Sequence, residues 1–411
     1  MVSAPSHKLP RVGRLRAFDA VAIAGTMSAA ADQLHVTQPA ITRALQELES
    51  EIGVKLLMRS AGGSFLTAEG TGFARRTGRF FQHLHAALDA IVDDERSGGR
   101  PARQIGDVHI RSLLAIWQAR SFRGAAKALG VAEPTLHRPA RDLEHLVKTP
   151  LFRRTSDGLS LSPAGAELAR RFALACVEIT VGLDEISASR GAAAITMTLG
   201  VLPLAPKYLL AEVTKALLNT QPHARIIIQE GDYDELVVGL RSGTIDAIFG
   251  ALRQPPPFAD LGEESLFDDP YGIVCRRGHP LTALARPKAA ALKGYDWVFP
   301  TTSLPRRAVL DEVIAAWKLS PRVQIETNSL GALVADLVVS DRISLLPRAA
   351  IHSDDRANRL AILDIKVPHR LRTVGLTTRS DWLPTEFQAE FLTMVRGAIP
   401  ADAEPLVASR A

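Results

Sequence analysis

The chain has 411 residues, of which 46% are hydrophobic and 23% charged, a composition that suits two or more domains and excludes a disordered polyelectrolyte. It has no run of about 18 apolar residues, no segment typical of a secretory signal, and two widely spaced cysteines, so we expect a cytoplasmic protein without a membrane span, disulfide framework or zinc site. Residues 1–190 carry 25 Lys and Arg against 19 Asp and Glu, whereas residues 191–411 carry 24 against 25. This asymmetry predicts that a polyanionic partner contacts the first half.

The first half of the chain repeats itself without a gap at a spacing of 95 residues. Matching pairs include Ala30-Ala31 and Ala125-Ala126, Pro39 and Pro134, Arg43 and Arg138, Leu48-Glu49 and Leu143-Glu144, and Gly70 and Gly165. A chance alignment does not keep its register over this length. The sequence therefore predicts one module that is present twice.

Each copy has the pattern of three short helices followed by a two-stranded wing. In the first copy these are a helix with Leu15, Phe18 and Val21 on its buried face, a helix at 29–34 capped by Ser28, a third helix capped by Thr37, and strands at 55–58 and 64–67. Two helices joined by a tight turn, the second with a polar N-terminal face, are typical of a helix-turn-helix.

The predicted DNA-binding residues lie on the third helix and on the wing. Burial of Ile41, Leu45 and Leu48 leaves polar side chains on the opposite face, where Gln can recognise adenine and Arg can recognise guanine or a phosphate. The candidates are Thr37, Gln38, Pro39, Ala40, Thr42, Arg43 and Gln46 on the helix and Arg59 and Ser60 on the wing. The alternative is a three-helix scaffold whose polar face is only solvated.

The first copy resembles the winged helix of LysR-type transcriptional regulators. The matching motifs are Thr26-Met27-Ser28-Ala29-Ala30-Ala31, Leu34, Thr37-Gln38-Pro39-Ala40-Ile41-Thr42-Arg43, Leu48-Glu49, Leu56-Leu57-Met58-Arg59 and Leu66-Thr67-Ala68-Glu69-Gly70, with Leu57 where an aromatic residue is usual. The resemblance implies sequence-specific binding to double-stranded DNA, control by a small-molecule effector, and a homodimer or homotetramer. It also implies one such module per chain, so a second copy would distinguish this protein.

The second copy differs from the first at the start of its third helix. Ala132 and Glu133 take the places of the capping Thr and the Gln, and Pro139 stands within the helix, where a proline is expected to kink it. The basic residues that remain are Arg138, Arg141, Arg153 and Arg154. We expect the first copy to recognise bases and the second to contact phosphates or to serve in assembly. In the alternative, both copies recognise bases, with Glu133 accepting from a cytosine amine, and the operator is composite.

A long amphipathic stretch follows each wing, at 72–92 and 166–186. The family resemblance implies that the equivalent helix pairs two subunits. We therefore hypothesise that the two stretches pack on each other within one chain; the alternative is pairing between chains only. The segment 96–104 between them has the composition of a flexible hinge.

From Ile195 onward, short strands alternate with helices, which is typical of an open, mostly parallel α/β sheet. Ligands of such sheets bind beyond the strand ends, at helix N-termini. The candidate effector-binding residues lie in three strand-to-helix turns: Leu202, Pro203 and Leu204; Thr301, Thr302 and Ser303; and Asn328 and Ser329. The alternative for each polar residue is an ordinary helix cap.

The segments 240–248 and 278–281 resemble the LysR-type effector domain, which implies two lobes like those of periplasmic binding proteins. No catalytic motif or metal-ligand spacing is present, so we predict no enzyme activity, metal or cofactor apart from an effector of unknown identity. We expect Cys275 in the core and His279 in a structural role. A solute-binding protein and an enzyme that uses the cleft are the alternatives from other classes.

The predicted fold is multidomain, with two α-rich winged helix-turn-helix modules and a two-lobed α/β effector domain like a periplasmic binding protein. The expected boundaries are 13–71 for the first module, 72–95 for its linker helix, 96–104 for the hinge, 105–165 for the divergent second module, 166–190 for its linker helix, 195–398 for the effector domain and 399–411 for a tail.

Overall fold

The computed structural model describes residues 9–60, 63–91, 104–155, 158–191, 195–354, 359–368 and 372–399. The chain forms two compact units, of which the first contains the residues up to Ile195 with the short segment Arg241–Thr244, and the second contains the rest. Apart from residues 104 and 399, the predicted hinge at 96–104 and the predicted tail at 399–411 lie outside the described residues.

The first unit begins with three helices and a small wing. Its elements are α1 (Val12–Ala24), α2 (Met27–Leu34), α3 (Gln38–Ile52), β1 (Leu57–Ser60), β2 (Gly63–Leu66) and the long helix α4 (Ala68–Asp89). The two strands pair antiparallel. The predicted inner face of α3 is buried, because Ile41, Leu45 and Leu48 pack into one core with Leu15 and Phe18 of α1.

The same order of elements returns after residue 104. The elements are α5 (Asp107–Ala119), α6 (Phe122–Leu129), α7 (Pro134–Val147), β3 (Phe152–Thr155), β4 (Gly158–Leu161) and the long helix α8 (Pro163–Ser189). Helix α7 continues past Pro139, so the expected kink stays a prediction and the helix accommodates the proline. Its removal of one backbone hydrogen bond is offset by the packing of Leu136, Ala140 and Leu143, all of which are buried.

Two predicted helix caps differ from the observed ones. Helix α2 begins at Met27, because Thr26 rather than Ser28 occupies the cap position and its side chain accepts the N–H of Ala29 at 3.2 Å. Thr37 occupies the cap position of α3, but its side chain forms no capping hydrogen bond there. Neither difference changes the helix-turn-helix geometry.

Each of the two sets of elements contains the same pair of internal hydrogen bonds at the start of its wing. Glu49 Oε1 accepts the backbone N–H groups of Leu56 at 2.9 Å and Leu57 at 3.2 Å at the start of the wing. Ninety-five residues later, Glu144 Oε1 accepts those of Leu151 at 2.8 Å and Phe152 at 3.2 Å. Each wing thus begins at a carboxylate that satisfies two buried backbone donors.

The third residue of each long helix is a glycine that lies directly against the residue before the wing. An added Cβ at Gly70 would lie 2.0 Å from the carbonyl oxygen of Leu56, and one at Gly165 would lie 2.1 Å from that of Leu151. Neither carbonyl can easily retreat, because each accepts a backbone N–H, from Thr67 at 3.0 Å in the first set and from Ser162 at 2.8 Å in the second.

We therefore expect Gly70→Ala to lower the free energy of unfolding by about 1–3 kcal/mol, the usual cost of overpacking. Gly72→Ala in the same helix is the control, since nothing lies within 4 Å of its added Cβ and the substitution should stabilise the helix by about 0.5–1 kcal/mol. Urea denaturation of the two variants measures the difference. Equal stability of the two variants would show that the close approach does not constrain the fold.

The long helices α4 and α8 pack against each other within the first unit, as hypothesised from the sequence. An ion cluster lies in their interface. Arg76 donates to Glu178 at 3.0 Å and to Glu185 at 2.7 Å, and Arg79 donates to Glu178 at 2.8 Å. His83 Nε2 lies 3.5 Å from the same carboxylate of Glu178. The side chains of Arg76 and Glu178 are 2% and 7% exposed, so this cluster is part of the core.

The second unit has two α/β lobes. The elements that open it are β5 (Thr196–Val201), α9 (Lys207–Thr220), β6 (Arg225–Glu230), α10 (Tyr233–Ser242), β7 (Ala247–Ala251), β8 (Leu261–Asp269) and β9 (Tyr271–Arg276). The remaining ones are β10 (Trp297–Phe299), α11 (Pro305–Ala316), β11 (Val323–Glu326), α12 (Leu330–Val339), β12 (Ser344–Pro347), α13 (Arg348–Asp354), β13 (Leu360–Ile362), β14 (Arg372–Arg379) and α14 (Glu386–Gly397).

The sheet of the first lobe has the order β6-β5-β7-β14-β8. Strands β6 and β7 pair parallel to β5, whereas β14 pairs antiparallel to both β7 and β8, so four of the five strands run in one direction, as expected for a mostly parallel sheet, and β14 runs in the other. The reason is topological, since β8 leads the chain out of the lobe and β14 brings it back. In the second lobe β10 and β11 are parallel, and β9 pairs antiparallel with β12 and β13.

Among the described helices, none combines the length and the apolar character that crossing a membrane requires.

Candidate DNA-binding surface and effector site

The predicted DNA-binding residues of the first set of helices form one exposed surface at the start of α3. Thr37, Gln38, Pro39 and Ala40 are exposed in the turn and first helical turn, and Arg43 and Gln46 are exposed further along; Thr42 is half-buried. Arg59 and Ser60 lie in β1, where they pair with Ser64 and Gly63 of β2. The fold therefore brings the helical candidates together on one face.

Arg43 is held in a defined position on this surface. Its side chain is 83% exposed, and its Nε donates to Glu47 Oε1 at 3.0 Å. Glu47 is fixed in turn by Arg14, whose Nη2 donates to Glu47 Oε2 at 2.8 Å. Hydrogen bonds from Arg43 and Arg14 lower the pKa of Glu47. Among the described residues nothing occupies the two terminal nitrogens of Arg43, the pair that a guanine or a phosphate requires.

The second set of helices presents a related surface with different chemistry. Arg138 is 90% exposed and lies 4.0 Å from Asp142, the same spacing of four residues that joins Arg43 to Glu47. Arg141, Arg153 and Arg154 are also exposed. Arg141 and Arg154 line a pocket of about 480 Å³, whose other lining residues are Phe122, His137, Ala140, Glu144, Phe152 and Leu159. The basic residues thus remain on the surface, as predicted.

Two of the three predicted effector turns are neighbours in the second unit. Arg307 Nη1 donates to Pro300 O at 3.2 Å, just before the turn Thr301–Ser303, and to Glu326 at 2.9 Å, just before the turn that contains Asn328 and Ser329. The backbone strengthens this link, because the N–H of Thr327 donates to Phe299 O at 2.9 Å.

The third predicted turn, Leu202 to Leu204, joins them through the core. Leu204 and Leu330, the residue after Ser329, pack against the same buried cluster that contains Val298 and Leu333. Leu202 packs instead against Leu236 and Leu240 in the first lobe. Pro203, which separates Leu202 and Leu204 in the sequence, is half-buried.

The capping alternative holds for one of the polar turn residues. The side chain of Ser329 accepts the N–H of Ala332 at 3.2 Å and caps α12. Ser303 does not cap α11, whose cap position is occupied by Leu304 without a side-chain hydrogen bond. Thr301 and Ser303 are hydrogen-bonded to each other at 3.3 Å, and Thr302 and Asn328 are exposed.

Comparison with known proteins matches both halves of the chain to one family. The profile described as "LysR substrate binding domain" covers residues 190–399, which is half of the chain, and that described as "Bacterial regulatory helix-turn-helix protein, lysR family" covers residues 12–71 and 108–166. The chain belongs to the LysR family of transcriptional regulators. It is a DNA-binding regulator with a C-terminal effector-binding domain.

Curated relatives of this LysR-family chain are also transcriptional regulators rather than enzymes. The HTH-type transcriptional regulator GalR of Pseudomonas putida KT2440 is 28% identical over 400 residues, which cover 96% of this chain and 99% of the relative. The regulator PcaQ of Agrobacterium fabrum is 25% identical over 282 residues, which cover 67% of this chain and 89% of the relative. A solved full-length OxyR variant from Pseudomonas aeruginosa shares the fold with a TM-score of 0.50 at 21% identity, covering 71% of this chain and 93% of that one.

Cys275 and His279 in the LysR effector domain are built into its core. Cys275 is fully buried, and burial raises the pKa of its thiol to about 11. His279 accepts the N–H of Leu281 at 3.1 Å, and its other ring nitrogen lies 3.1 Å from the carbonyl oxygen of Asp341. In the described part of the chain, no group of three His, Cys, Asp or Glu residues is arranged to hold a metal ion.

The LysR effector domain also contains two buried arginines that the sequence did not single out. Arg306, in the first turn of α11, is 7% exposed and donates to Leu345 O at 2.9 Å. Arg372, at the start of β14, has a side chain that is 10% exposed and donates to Leu204 O at 2.7 Å. A signal for Arg306 existed in its position one residue after the helix-starting Pro305, whereas no sequence pattern marks Arg372.

Proposed function

We propose that this regulator binds a two-part operator with a single chain, because the chain carries two winged helix-turn-helix modules arranged as a pseudo-dimer. In this proposal residues 13–71 form the module that recognises bases, and residues 105–165 form a divergent module that mainly contacts phosphates. Helices α4 and α8 take the place of the two linker helices that the family resemblance assigns to two subunits. A small-molecule effector at the three turns of the second unit regulates binding by favouring one of two states.

The comparisons support two modules in one chain. The same helix-turn-helix profile matches residues 12–71 and 108–166. The alignment with GalR extends over nearly the full length of both chains, whereas the alignment with PcaQ leaves a third of this chain unmatched. A relative of equal length is what a stable two-module architecture predicts.

The observation that carries the proposal is that residues of the first segment contact their own counterparts in the second. The backbone N–H of Val12 donates at 2.6 Å to Asp107, which lies 95 residues later. His83 lies 3.5 Å from Glu178, which is again 95 residues later. In a pair related by a two-fold axis, only residues at the axis meet their own copies. Two such contacts therefore support a pseudo-two-fold axis in the first unit.

Two contacts away from this axis join similar regions of the two segments. Thr149, at the end of α7, donates to the carbonyl oxygen of Ile91 at 3.0 Å, just after α4. Conversely, Arg190, just after α8, donates to the carbonyl oxygen of Gly53 at 3.0 Å, just after α3. Each linker helix thus ends against the recognition helix of the other segment.

The pseudo-dimer is asymmetric where it faces DNA. The first module presents Gln38 and Arg43, whereas the second presents Glu133 and Arg138 at the corresponding positions. A carboxylate facing phosphates and base acceptors is unfavourable, so the second module is suited to nonspecific backbone contacts through its arginines. The rival proposal of a composite operator requires Glu133 to face a cytosine amine.

Crosslinking tests the pseudo-dimer directly. We expect the double variant Ile91→Cys/Thr149→Cys, treated with a short bis-maleimide, to give a crosslinked species with the mass of one chain. The native Cys176 and Cys275 are both buried, and the two single variants control for their reaction. A covalent dimer as the main product would mean that the linker helices pair between subunits and would overturn the proposal.

A further inference from the structure

The second helix-turn-helix module contains a pocket between helix α7 and the wing. Its volume of about 480 Å³ lies within the range of small-molecule sites, about 300–1,000 Å³. It belongs to the first unit and is therefore separate from the three predicted effector turns, which lie in the second unit. Its lining residues come from α6, α7 and both strands of the wing: Phe122, His137, Ala140, Arg141, Glu144, Phe152, Arg154 and Leu159.

The lining of this pocket is where the second module differs in sequence from the first. Ala140 stands at the position of Leu45, a larger side chain that is buried in the core of the first module. Of the lining residues, Glu144 and Arg154 keep the residue type of the first module. The other replacements, each 95 residues apart, are Phe122 for Met27, His137 for Thr42, Arg141 for Gln46, Phe152 for Leu57 and Leu159 for Ser64. The second module thus has aromatic and basic side chains around a position where a core side chain has become small.

The aromatic part of the lining is built around Phe122. This side chain is buried, and its ring stacks on that of His137, with 4.7 Å between the centroids and 11° between the planes. The ring of Phe152 meets it edge-on at 5.2 Å. His137 and Phe152 are themselves only half-buried, so part of each ring remains uncovered. Ring surfaces of this kind favour a flat aromatic partner over an aliphatic one.

The charged part of the lining favours a negatively charged group. Arg141 and Arg154 are exposed, and neither guanidinium forms an ion pair or hydrogen bond with a described residue. The carboxylate in the lining, Glu144, accepts two backbone N–H groups of the wing. Glu133 lies 3.8 Å from His137 but does not line the pocket. Two guanidinium groups against one carboxylate leave the pocket with an excess of positive charge, and the guanidinium fork suits a carboxylate or a similar anion.

We infer that this pocket binds a small aromatic anion, with the ring against His137 and Phe152 and the negative charge on Arg141 and Arg154. These two arginines are among the groups that contact DNA phosphates in the proposed function. The ligand and DNA therefore compete for the second module, and each weakens the binding of the other by the same factor. The competition rests on the proposed function, whereas the ligand site itself does not.

Calorimetric titration of the full chain with naphthoate tests the ligand site. We expect the unmodified protein to bind naphthoate, and to bind the neutral naphthamide and the non-aromatic cyclohexanecarboxylate at least about tenfold more weakly. Ala140→Leu, which restores the residue of the first module, should fill the pocket and abolish this binding. Arg154→Gln should weaken it about tenfold.

The matched control is Arg153→Gln. It removes the same charge at the adjacent exposed position of β3, but Arg153 does not line the pocket, because successive side chains of a strand point to opposite faces. It should bind naphthoate like the unmodified protein. Because Arg154 is an exposed side chain, Arg154→Gln carries the test even if overpacking makes Ala140→Leu unfold, which its melting temperature would show.

Three results would overturn the inference. One is the absence of naphthoate binding by the unmodified protein. Another is unchanged binding in Arg154→Gln and in folded Ala140→Leu, which would place the ligand elsewhere in the chain. The third is an equal loss in Arg153→Gln and Arg154→Gln, which would indicate attraction to a basic surface without a specific site.

DNA binding, measured on the same samples, separates this inference from the proposed function. Naphthoate should weaken the binding of a selected DNA fragment by the unmodified protein and by Arg153→Gln, and should have no effect on its binding by Ala140→Leu. Naphthoate binding that requires Arg154 but leaves DNA binding unchanged would reject the phosphate contacts of the second module and would support the ligand site.

Discussion

Selection of random or genomic DNA fragments by the variant Gln38→Ala/Arg43→Ala is expected to recover no preferred sequence. Both side chains are exposed at the start of α3, and the terminal nitrogens of Arg43 are held ready by Glu47 and Arg14. Each well-placed bidentate contact to a base contributes about 1–3 kcal/mol of discrimination, so losing even one weakens preferred sites about 10- to 100-fold. Binding titrations with a fragment selected by the unmodified protein measure this loss.

The matched variant is Arg138→Ala/Arg141→Ala in the second module. We expect it to weaken binding to all fragments to a similar extent and to reduce the salt dependence of binding, because it removes phosphate contacts. If it instead erases one half of the selected sequence, both modules recognise bases and the operator is composite. Absence of any enrichment with the unmodified protein would contradict the assignment of the recognition surface itself.

The first module could be predicted closely from sequence because its determinants are local. Helix α3, the turn before it and the wing follow one another closely in the sequence, and each element packs on its neighbours in the chain. Where the prediction failed, the cause was equally local: Thr26 and Ser28 are both good caps, and the sequence alone did not decide between them. The repeat at 95 residues carried the same prediction to the second module.

The pairing of the linker helices was open to sequence analysis only as a hypothesis. An amphipathic helix shows that it has a partner but not which chain provides it. The contact of His83 with Glu178 supports pairing within one chain, but neither residue type indicates such a contact in the sequence. Complementary charges at positions 95 residues apart, such as a histidine and a glutamate, are a signal that could have indicated this pairing.

The three predicted effector turns could be located from the sequence, whereas the two buried arginines near them could not. Arg306 and Arg307 are adjacent in sequence, but Arg306 is buried without a carboxylate, while Arg307 pairs with Asp311 and Glu326 at the surface. The sequence alone does not show which of these two adjacent arginines is buried. Arg372 meets Leu204 across 168 positions of sequence, a contact created only by the return of β14 to the first lobe.

Glu178→Gln is expected to lower the free energy of unfolding by about 3–5 kcal/mol, because it leaves the buried Arg76 with one carboxylate in place of two. Burial alone would raise the pKa of Glu178, but His83, Arg79 and Arg76 outweigh it and hold the pKa at about 2. A carboxyl whose pKa is lower in the folded than in the unfolded state stabilises the fold at pH values above its unfolded pKa. That contribution is full above about pH 4.5 and disappears as the pH falls toward 2.

The difference in stability between the unmodified protein and Glu178→Gln should therefore be largest near neutral pH and shrink steadily below pH 5. Urea denaturation at several pH values measures it. Glu47→Gln is the control, because Glu47 also pairs with arginines but is 40% exposed, and exposed ion pairs contribute little to stability. A loss at Glu178 no larger than at Glu47 would mean that the ion cluster does not stabilise the contact between α4 and α8. In the proposed pseudo-dimer this contact joins the two modules, so a large loss should also increase intersubunit products in the Ile91→Cys/Thr149→Cys crosslinking experiment.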